Sequence, residues 1–331
     1  MRISGQNGNT VTALGNTFDT NVGRATVAIA DGAKIRTAGF RRNCTYKEPN
    51  FTDPSNHIFI VSFDGGTLET GSNNKNIAIC GQESHAERMK RYALRGLLVG
   101  PKGVTIDTIG NKGNYTEVPF SAPTNGVVSA LSKFEPFLWN HVTAPTVEIS
   151  GDGEGAYAYA DFDSKTRMVR GVKIVSGGTG FTHATANFYS ESTLSRSYAC
   201  EIAAPVSGDF TKAGEGDFTF NCANTYGGAT VLKGGTLVLG VPNALPANSP
   251  VVPQGGLIVS TAANFPAAIT VDVTGLDPKG RSVRFARFSD AAPETLPAVS
   301  FLGSDDPNWR VRLVGDTLAV GCARGTLLLV R

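Results

Sequence analysis

The chain has 331 residues, of which 41 % are hydrophobic and only 18 % charged, with 39 glycines and 17 prolines. That length allows one large or two medium domains around a sizeable core, and low charge with many turn formers and β-branched residues argues for a β-protein over a helical bundle. The formal net charge of +2 gives no electrostatic case for nucleic acid, and no apolar run approaches the roughly 20 residues of a membrane helix.

The start, Met1-Arg2-Ile3-Ser4-Gly5-Gln6, lacks the apolar stretch of a signal peptide, so no export signal is expected in this chain. A corner pattern then recurs: a polar residue, a glycine, a small or variable residue, and a β-former. It occurs as Asp31-Gly32-Ala33-Lys34-Ile35, Asp64-Gly65-Gly66-Thr67-Leu68, Lys102-Gly103-Val104-Thr105-Ile106, Lys233-Gly234-Gly235-Thr236-Leu237 and Gln254-Gly255-Gly256-Leu257-Ile258. Glycine permits the positive φ of a tight corner, and the alternating residues after it can turn one face inward. The 21 residues from Gly234 to Gly255 suit one coil of a parallel β-helix, and wider intervals imply coils that carry loops. A sandwich of ordinary hairpins is the competing architecture.

Between the second and third corners, His85 to Gly96 is rich in helix formers and ends on glycine, which predicts one short helix with Met89, Tyr92 and Ala93 on one face. Its cations Arg88, Lys90, Arg91 and Arg95 could meet an anionic glycan or a partner protein, or form a plain solvated face. From Ser121 to Ser195 the pattern changes. Thr146 to Ser150 alternates, Gly151 to Gly155 reads as a turn, Ala156 to Ala160 alternates small with aromatic, and Val169 to Val175 reads as a strand closed by Ser176 to Phe181. This is expected to be a small antiparallel β-module inserted into a coil. Its Trp139, Tyr157, Tyr159 and Phe162 could stack on sugar rings or pack the module against the coils. Trp309 to Leu313, Leu318 to Val320 and Thr326 to Val330 read as closing strands, because an open end templates aggregation.

Residues that could carry chemistry are sparse. His57, His85, His141 and His183 sit in no H-E-x-x-H or H-x-H arrangement, and no G-x-x-x-x-G-K-[ST] or G-x-S-x-G motif is present. Gly177 to Gly180 has no following helix, so it does not predict a phosphate cradle. Asp152, Glu154, Asp161 and Asp163 place hard oxygens on turns, the chemistry calcium prefers, yet their spacing matches no calcium loop. The pairs Asp64 with Glu69, Asp161 with Asp163 and Asp305 with Asp306 do not by themselves make a two-carboxylate centre. Cys44, Cys80, Cys200, Cys222 and Cys322 lie too far apart for zinc spacing; Cys200 and Cys222 are the pair a disulfide would join, the others reading as buried small residues. Asn43, Asn50 and Asn114 open N-x-[ST] sequons. No catalytic, cofactor or metal residue is therefore assigned.

The most specific stretch is Gly208 to Gly240. It contains Lys212, Gly214 and Gly216, then Phe218 to Phe220, Ala223-Asn224-Thr225-Tyr226, Gly227-Gly228 and Gly234-Gly235-Thr236-Leu237. This order resembles the autotransporter-associated β-strand repeat of bacterial passenger proteins, with phenylalanine in place of leucine at strand positions and Cys222 where a small residue is usual. Phe63 to Asn74 and Val99 to Thr108 look like upstream rungs of the same kind. The resemblance implies an all-β, right-handed parallel β-helix with an extracellular or cell-surface life, and it brings no catalytic residues. The expected layout is N-terminal coils over 1–120, the glycine-rich module over 121–195, and C-terminal coils with the repeat and closing strands over 196–331. The expected role is a non-catalytic, adhesin-like scaffold whose loops meet glycans or surface proteins, with Arg88, Arg91, Arg95, Tyr157 and Tyr159 as candidate partner-binding residues. Two alternatives remain: a polysaccharide lyase or hydrolase on the same scaffold, and a self-associating surface-fibre subunit.

Overall fold

A computed structural model describes residues 3–4, 10–12, 17–18, 25–37, 39–42, 59–75, 77–79 and 94–323. These residues form 31 strands and no helix. The chain runs through its sheets in successive passes. The first supplies β1 (Ile3–Ser4), β2 (Thr10–Thr12) and β3 (Thr17–Phe18). The second supplies β4 (Ala25–Ala30), β5 (Lys34–Thr37) and β6 (Phe40–Arg42), and the third β7 (Phe59–Asp64), β8 (Gly66–Thr70) and β9 (Ala78–Ile79). The fourth holds β10 (Leu94–Val99), β11 (Val104–Asp107) and β12 (Asn114–Thr116), and β13 (Phe120–Ser121) begins a fifth.

The antiparallel module then intervenes: β14 (Val127–Leu131), β15 (Phe137–Leu138), β16 (Thr146–Gly151), β17 (Glu154–Asp163), β18 (Met168–Thr179), β19 (Ala184–Ser190) and β20 (Thr193–Ala203). Its pairing continues past residue 195 to Ala203. The passes resume as β21 (Phe210–Ala213) with β22 (Asp217–Phe220), β23 (Thr230–Leu232) with β24 (Thr236–Leu239), β25 (Val251–Pro253) with β26 (Leu257–Ser260), and β27 (Ala268–Asp272) with β28 (Val283–Phe288). They end with β29 (Ala298–Leu302), β30 (Trp309–Val314) and β31 (Thr317–Cys322).

Strands from successive passes stack in register. The first sheet has the order β1-β4-β7-β10-β13, and the second β2-β5-β8-β11-β21-β23-β25-β27-β29, with every pairing parallel. The third, β12-β22-β24-β26-β28-β31-β30, is parallel as far as β28 and ends in an antiparallel hairpin. A small parallel sheet, β3-β6-β9, completes the early passes. Period-2 alternation turns one set of side chains inward. Val27, Val61, Leu97 and Phe120 form one inward ladder, and Phe218, Leu237 and Ile258 another; all are buried.

The five corners of the sequence belong to two stacks. Those at Gly32, Gly65 and Gly103 join the first sheet to the second and are linked by backbone hydrogen bonds, Gly32 N–H to the Gly65 carbonyl (3.1 Å) and Gly65 N–H to the Gly103 carbonyl (2.8 Å). Those at Gly234–Gly235 and Gly255–Gly256 join the second to the third, where Leu257 N–H donates to the Gly235 carbonyl at 2.9 Å. At Gly103 the need for glycine is twofold: φ is +76°, and a Cβ there would collide with the Asp209 carbonyl of the pass above.

The stack passes over the module as though it were absent. Val104 pairs with Phe210 and Asn114 with Phe218, although more than 100 residues separate each pair. Ala122 N–H donates to the Thr225 carbonyl (3.1 Å) where the chain leaves. The rings of Phe120 and Phe210, on either side of the excursion, lie 5.0 Å apart, and those of Phe210 and Phe220 4.8 Å apart. The module has two sheets, β14-β20-β19-β16 and β15-β18-β17, around Phe137, Trp139, Val169 and Phe188. It rests on the outer face of the first sheet, where Tyr157, Tyr159 and Val175 pack on Ala28 and Ala30.

Three sequence expectations are corrected. The helix expected over His85 to Gly96 falls largely outside the described residues, but Leu94, Arg95 and Gly96 begin β10, where pairing to β7 outweighs helix propensity. Ser176 to Thr179 is part of β18 rather than a closing turn; the Ser176 hydroxyl donates to the Gly155 carbonyl (2.7 Å) and accepts from Gly178 N–H (3.2 Å), absorbing the glycines into the ladder. Cys200 and Cys222 are not joined by a disulfide: Cys200 packs in the core of the module, whereas Cys222 sits at a corner near the Thr116 carbonyl. Of the closing strands, Trp309 to Leu313 and Leu318 to Val320 form the terminal hairpin, and Thr326 to Val330 lies outside the described residues.

The covered outer face of the first sheet generates a prediction. Ala28 is 5 % exposed and packs among Ala30, Val175, Tyr157 and Tyr159. Ala28→Asp is expected to lower stability by at least about 2 kcal/mol, through burial of an unpaired polar group. Urea unfolding measures this, and Ala33→Ser would not be an equivalent control because Ala33 faces the inner core.

Candidate functional site

The stretch from Phe210 to Leu239 binds three passes together, and its motif residues are used up in doing so. The Lys212 side chain points inward, in line with Ile35, Leu68, Ile106 and Leu232 on neighbouring strands, and it is fully buried. Its ammonium donates to the Ala213 carbonyl (2.7 Å), the Gly214 carbonyl (2.9 Å), the Thr108 hydroxyl (3.0 Å) and the Gly234 carbonyl (3.2 Å). It therefore gathers corner carbonyls from consecutive passes. Burial pushes the amine down to about 8, against the pull of Asp107 and Asp217.

Asn224 plays the matching part at the next corner. It is 3 % exposed. Its Oδ1 accepts from Phe120 N–H at 2.8 Å, and its Nδ2 donates to the Ala244 carbonyl at 2.7 Å and the Cys222 carbonyl at 3.3 Å. One amide thus joins the pass below to the pass above. Tyr226 stacks on Phe210 (5.5 Å) and closes a hydroxyl chain, to Thr230 at 2.6 Å and from Thr230 to Ser249 at 2.8 Å. Burial raises its phenol well above the ordinary value. Gly216 approaches the preceding pass so closely that a Cβ would strike the Asn111 carbonyl.

The remaining candidate groups are dispersed. Arg88 and Arg91 lie outside the described residues. Arg95 lies in β10. Tyr157 and Tyr159 are half-buried between the module and the first sheet, with the Lys173 ammonium 6.0 Å from the Tyr159 ring. Asp152 accepts from Thr182 N–H (3.0 Å) and His183 N–H (3.1 Å), and the Thr182 hydroxyl above all holds its carboxyl well below the usual range. Asp163 likewise caps a turn through Lys165 N–H (2.9 Å). Asp306 caps Asn308 and receives the Cys322 thiol. Asp163 stabilises its own turn, whereas Asp152 ties the turn before β17 to the one after β18 and Asp306 ties its turn to the end of β31, and among the described residues no group of three or more His, Cys, Asp or Glu could hold a metal ion. Asn114 is fully buried, so its sequon is sterically closed in the folded chain.

Sequence reasoning missed two arrangements. The role of Lys212 was hidden because a lysine in a strand is ordinarily read as facing solvent; its place in an otherwise aliphatic ladder appears only once the register is known. Ser190 Oγ and His141 Nε2 lie 2.9 Å apart at an exposed end of the module, with the imidazole 5.3 Å from the Trp139 ring. Residues 49 apart gave no local signal for this contact. A hydrolytic triad would also require an acid on the second imidazole nitrogen and oxyanion donors; the contacts of His141 found among the described residues are Ser190 and Trp139.

Two stability outcomes follow from the corner residues. Asn224→Ala is expected to cost about 2–3 kcal/mol, because it strands buried groups on two neighbouring passes, and urea unfolding at neutral pH measures it. Lys212 binds its proton less tightly folded (about 8) than at its ordinary 10.5. The unfolded chain then holds the extra proton across that window, so folded stability rises with pH from about 8 to about 10.5. Relative to Lys212→Met, the wild type should gain up to about 3 kcal/mol over this range; a flat difference curve would contradict the buried ammonium.

Residues 210–239 match the family model of the passenger-associated-transport-repeat. No curated protein and no solved structure matches the chain. The matched segment coincides with the Lys212–Asn224–Tyr226 interlock.

Proposed function

Residues 210–239 are a passenger-associated-transport repeat of the autotransporter passenger type, and from this premise we propose that the chain is a right-handed parallel β-helix that serves as a secreted or cell-surface scaffold. Three sheets visited in turn by in-register parallel strands support the winding, and parallel crossover connections are right-handed in nearly all proteins. The repeat is a feature of surface passengers, which supports the location.

The role is adhesin-like display without catalysis. The observation that carries it is that the polar residues of the matched segment are spent on holding passes together: Lys212 and Asn224 have their donors on backbone carbonyls and the Thr108 hydroxyl. The stack makes a stiff body, and the module supplies the variable contacts. Glycans or surface proteins are the partners, with the basic run Arg88, Arg91 and Arg95 offering charge to an anionic glycan. Tyr157 and Tyr159 contribute by fixing the module on the stack.

A glycan array, read for retained ligand and for released product, tests this reading. Binding to acidic glycans without cleavage, weakened at least about tenfold by reversing Arg88, Arg91 and Arg95 to Glu, is the expected result. Release of shortened saccharides would instead establish a polysaccharide-active enzyme and overturn the display role.

A further inference from the structure

The second sheet ends on β29, whose second edge pairs with nothing among the described residues. Its backbone is phased with respect to that edge. Ala298 N–H donates to the Ala267 carbonyl and the Leu302 carbonyl accepts from Val273 N–H, both at 2.9 Å. In a parallel ladder, residues bonded to one neighbour alternate with residues bonded to the other, so the N–H and C=O groups of Val299 and Phe301 point to the open side. The third sheet ends differently. It is closed by the antiparallel β30–β31 hairpin, and its outermost strand carries Arg310 and Arg312, the charges that ordinarily blunt an edge. No such guard stands on β29: Thr295 through Ser304 carry no charge at all.

The end of the core is open in the same place. Val299 and Phe301 occupy inward positions above Ile269 and Val271, yet they are only partly buried, as are Val311 and Leu313, whereas Val271 is fully covered. Leu302 is half exposed. Trp309, against Phe301 at 6.5 Å, is buried with its indole N–H unpartnered. A polar donor left over beside an uncharged open edge marks a place where an acceptor is missing.

We propose that β29 pairs antiparallel with β29 of a second copy of this chain, about a twofold axis through Ser300. This goes beyond the display reading and does not depend on it. The occupant is a second copy because the edge is self-complementary. With Ser300 on the axis, Val299 of each chain faces Phe301 of the other, and the outward N–H and C=O groups of the two residues satisfy each other in two reciprocal pairs. The charge condition is also met: a residue near a twofold meets its own copy, and a charged edge would repel itself, which a run of uncharged residues from 295 to 304 avoids. The half-covered Val299 and Phe301 of the two ends then cover one another on the core side, and Leu302 of each lies beside Ala298 of the other on the opposite face.

Light scattering coupled to size exclusion, on the full chain from about 1 µM to about 200 µM, should show the mass rising from 34.7 kDa towards twice that value. Hydrogen exchange should show Val299 and Phe301 amides gaining protection with concentration, while that of Ser300, whose phase faces β27, stays constant. The double variant Ser300→Lys/Leu302→Lys, with both side chains directed away from the core, should remain monomeric with an unchanged circular dichroism spectrum. Val299→Pro, which removes an outward donor, should weaken the dimer at least about tenfold. A chain that is monomeric at every concentration, or a dimer indifferent to the two lysines, overturns the proposal. So does dimerisation that appears only after residues 324–331 are removed, since those residues would then be the occupant.

Discussion

In-register parallel stacking governs this molecule. Away from the sheet ends, an inward side chain has a neighbour above and another below, so a residue is constrained by positions about 20 to more than 100 places away in the chain. Phe210 must suit both Val104 and Thr230, and Leu237 both Phe218 and Ile258. The same geometry fixes the corners, where backbone N–H and C=O groups turn away from the sheets and need partners from the pass next door. Aliphatic ladders fill the interior, but they cannot satisfy those corner groups. The buried polar residues do that, which is why the interior tolerates a lysine and an asparagine.

Lys212 and Asn224 are alike in being costly when unpaired and stabilising when all their donors find acceptors. Their partners come from several passes, so neither can be satisfied unless the stack is in register. The matched repeat thereby locks the register of the parallel passes at the place where the chain returns from the antiparallel module. The phenylalanines beside it, Phe120, Phe210, Phe218 and Phe220, seal the same seam. The gap left between Ser121 and Phe210 is closed with aromatic area rather than with covalent links.

The module is more than an attachment. The strands beneath it, Ala25–Ala30 and Phe59–Asp64, bury apolar side chains on both faces, with Val27, Ile29, Val61 and Phe63 inward and Ala28, Ala30 and Ile60 outward. Their outward alanines accept Tyr157 and Tyr159 at close range because they are small. Gly155 belongs to the same fit, with Ile60 immediately beneath it. Stack and module therefore share a buried layer, and the aromatic residues that would suit sugar binding on an isolated module serve packing.

From its residues alone, this sequence determined that the chain is all-β, that glycine corners precede alternating strands, that a distinct antiparallel pattern occupies its middle, and that Phe210 to Leu239 carries a passenger-type repeat. Those features are local: a corner needs a glycine at one φ, and a strand needs period-2 alternation. What only the tertiary structure decided is non-local. The division of five similar corners into two stacks, the direct pairing of Val104 with Phe210, the inward turn of Lys212, the meeting of His141 with Ser190 and the packing of Tyr157 and Tyr159 on Ala28 and Ala30 all depend on contacts between distant segments. The extended start of β10 at Leu94 shows the same reason from the other side, since helix-forming residues yield where a neighbouring strand supplies a ladder of hydrogen bonds.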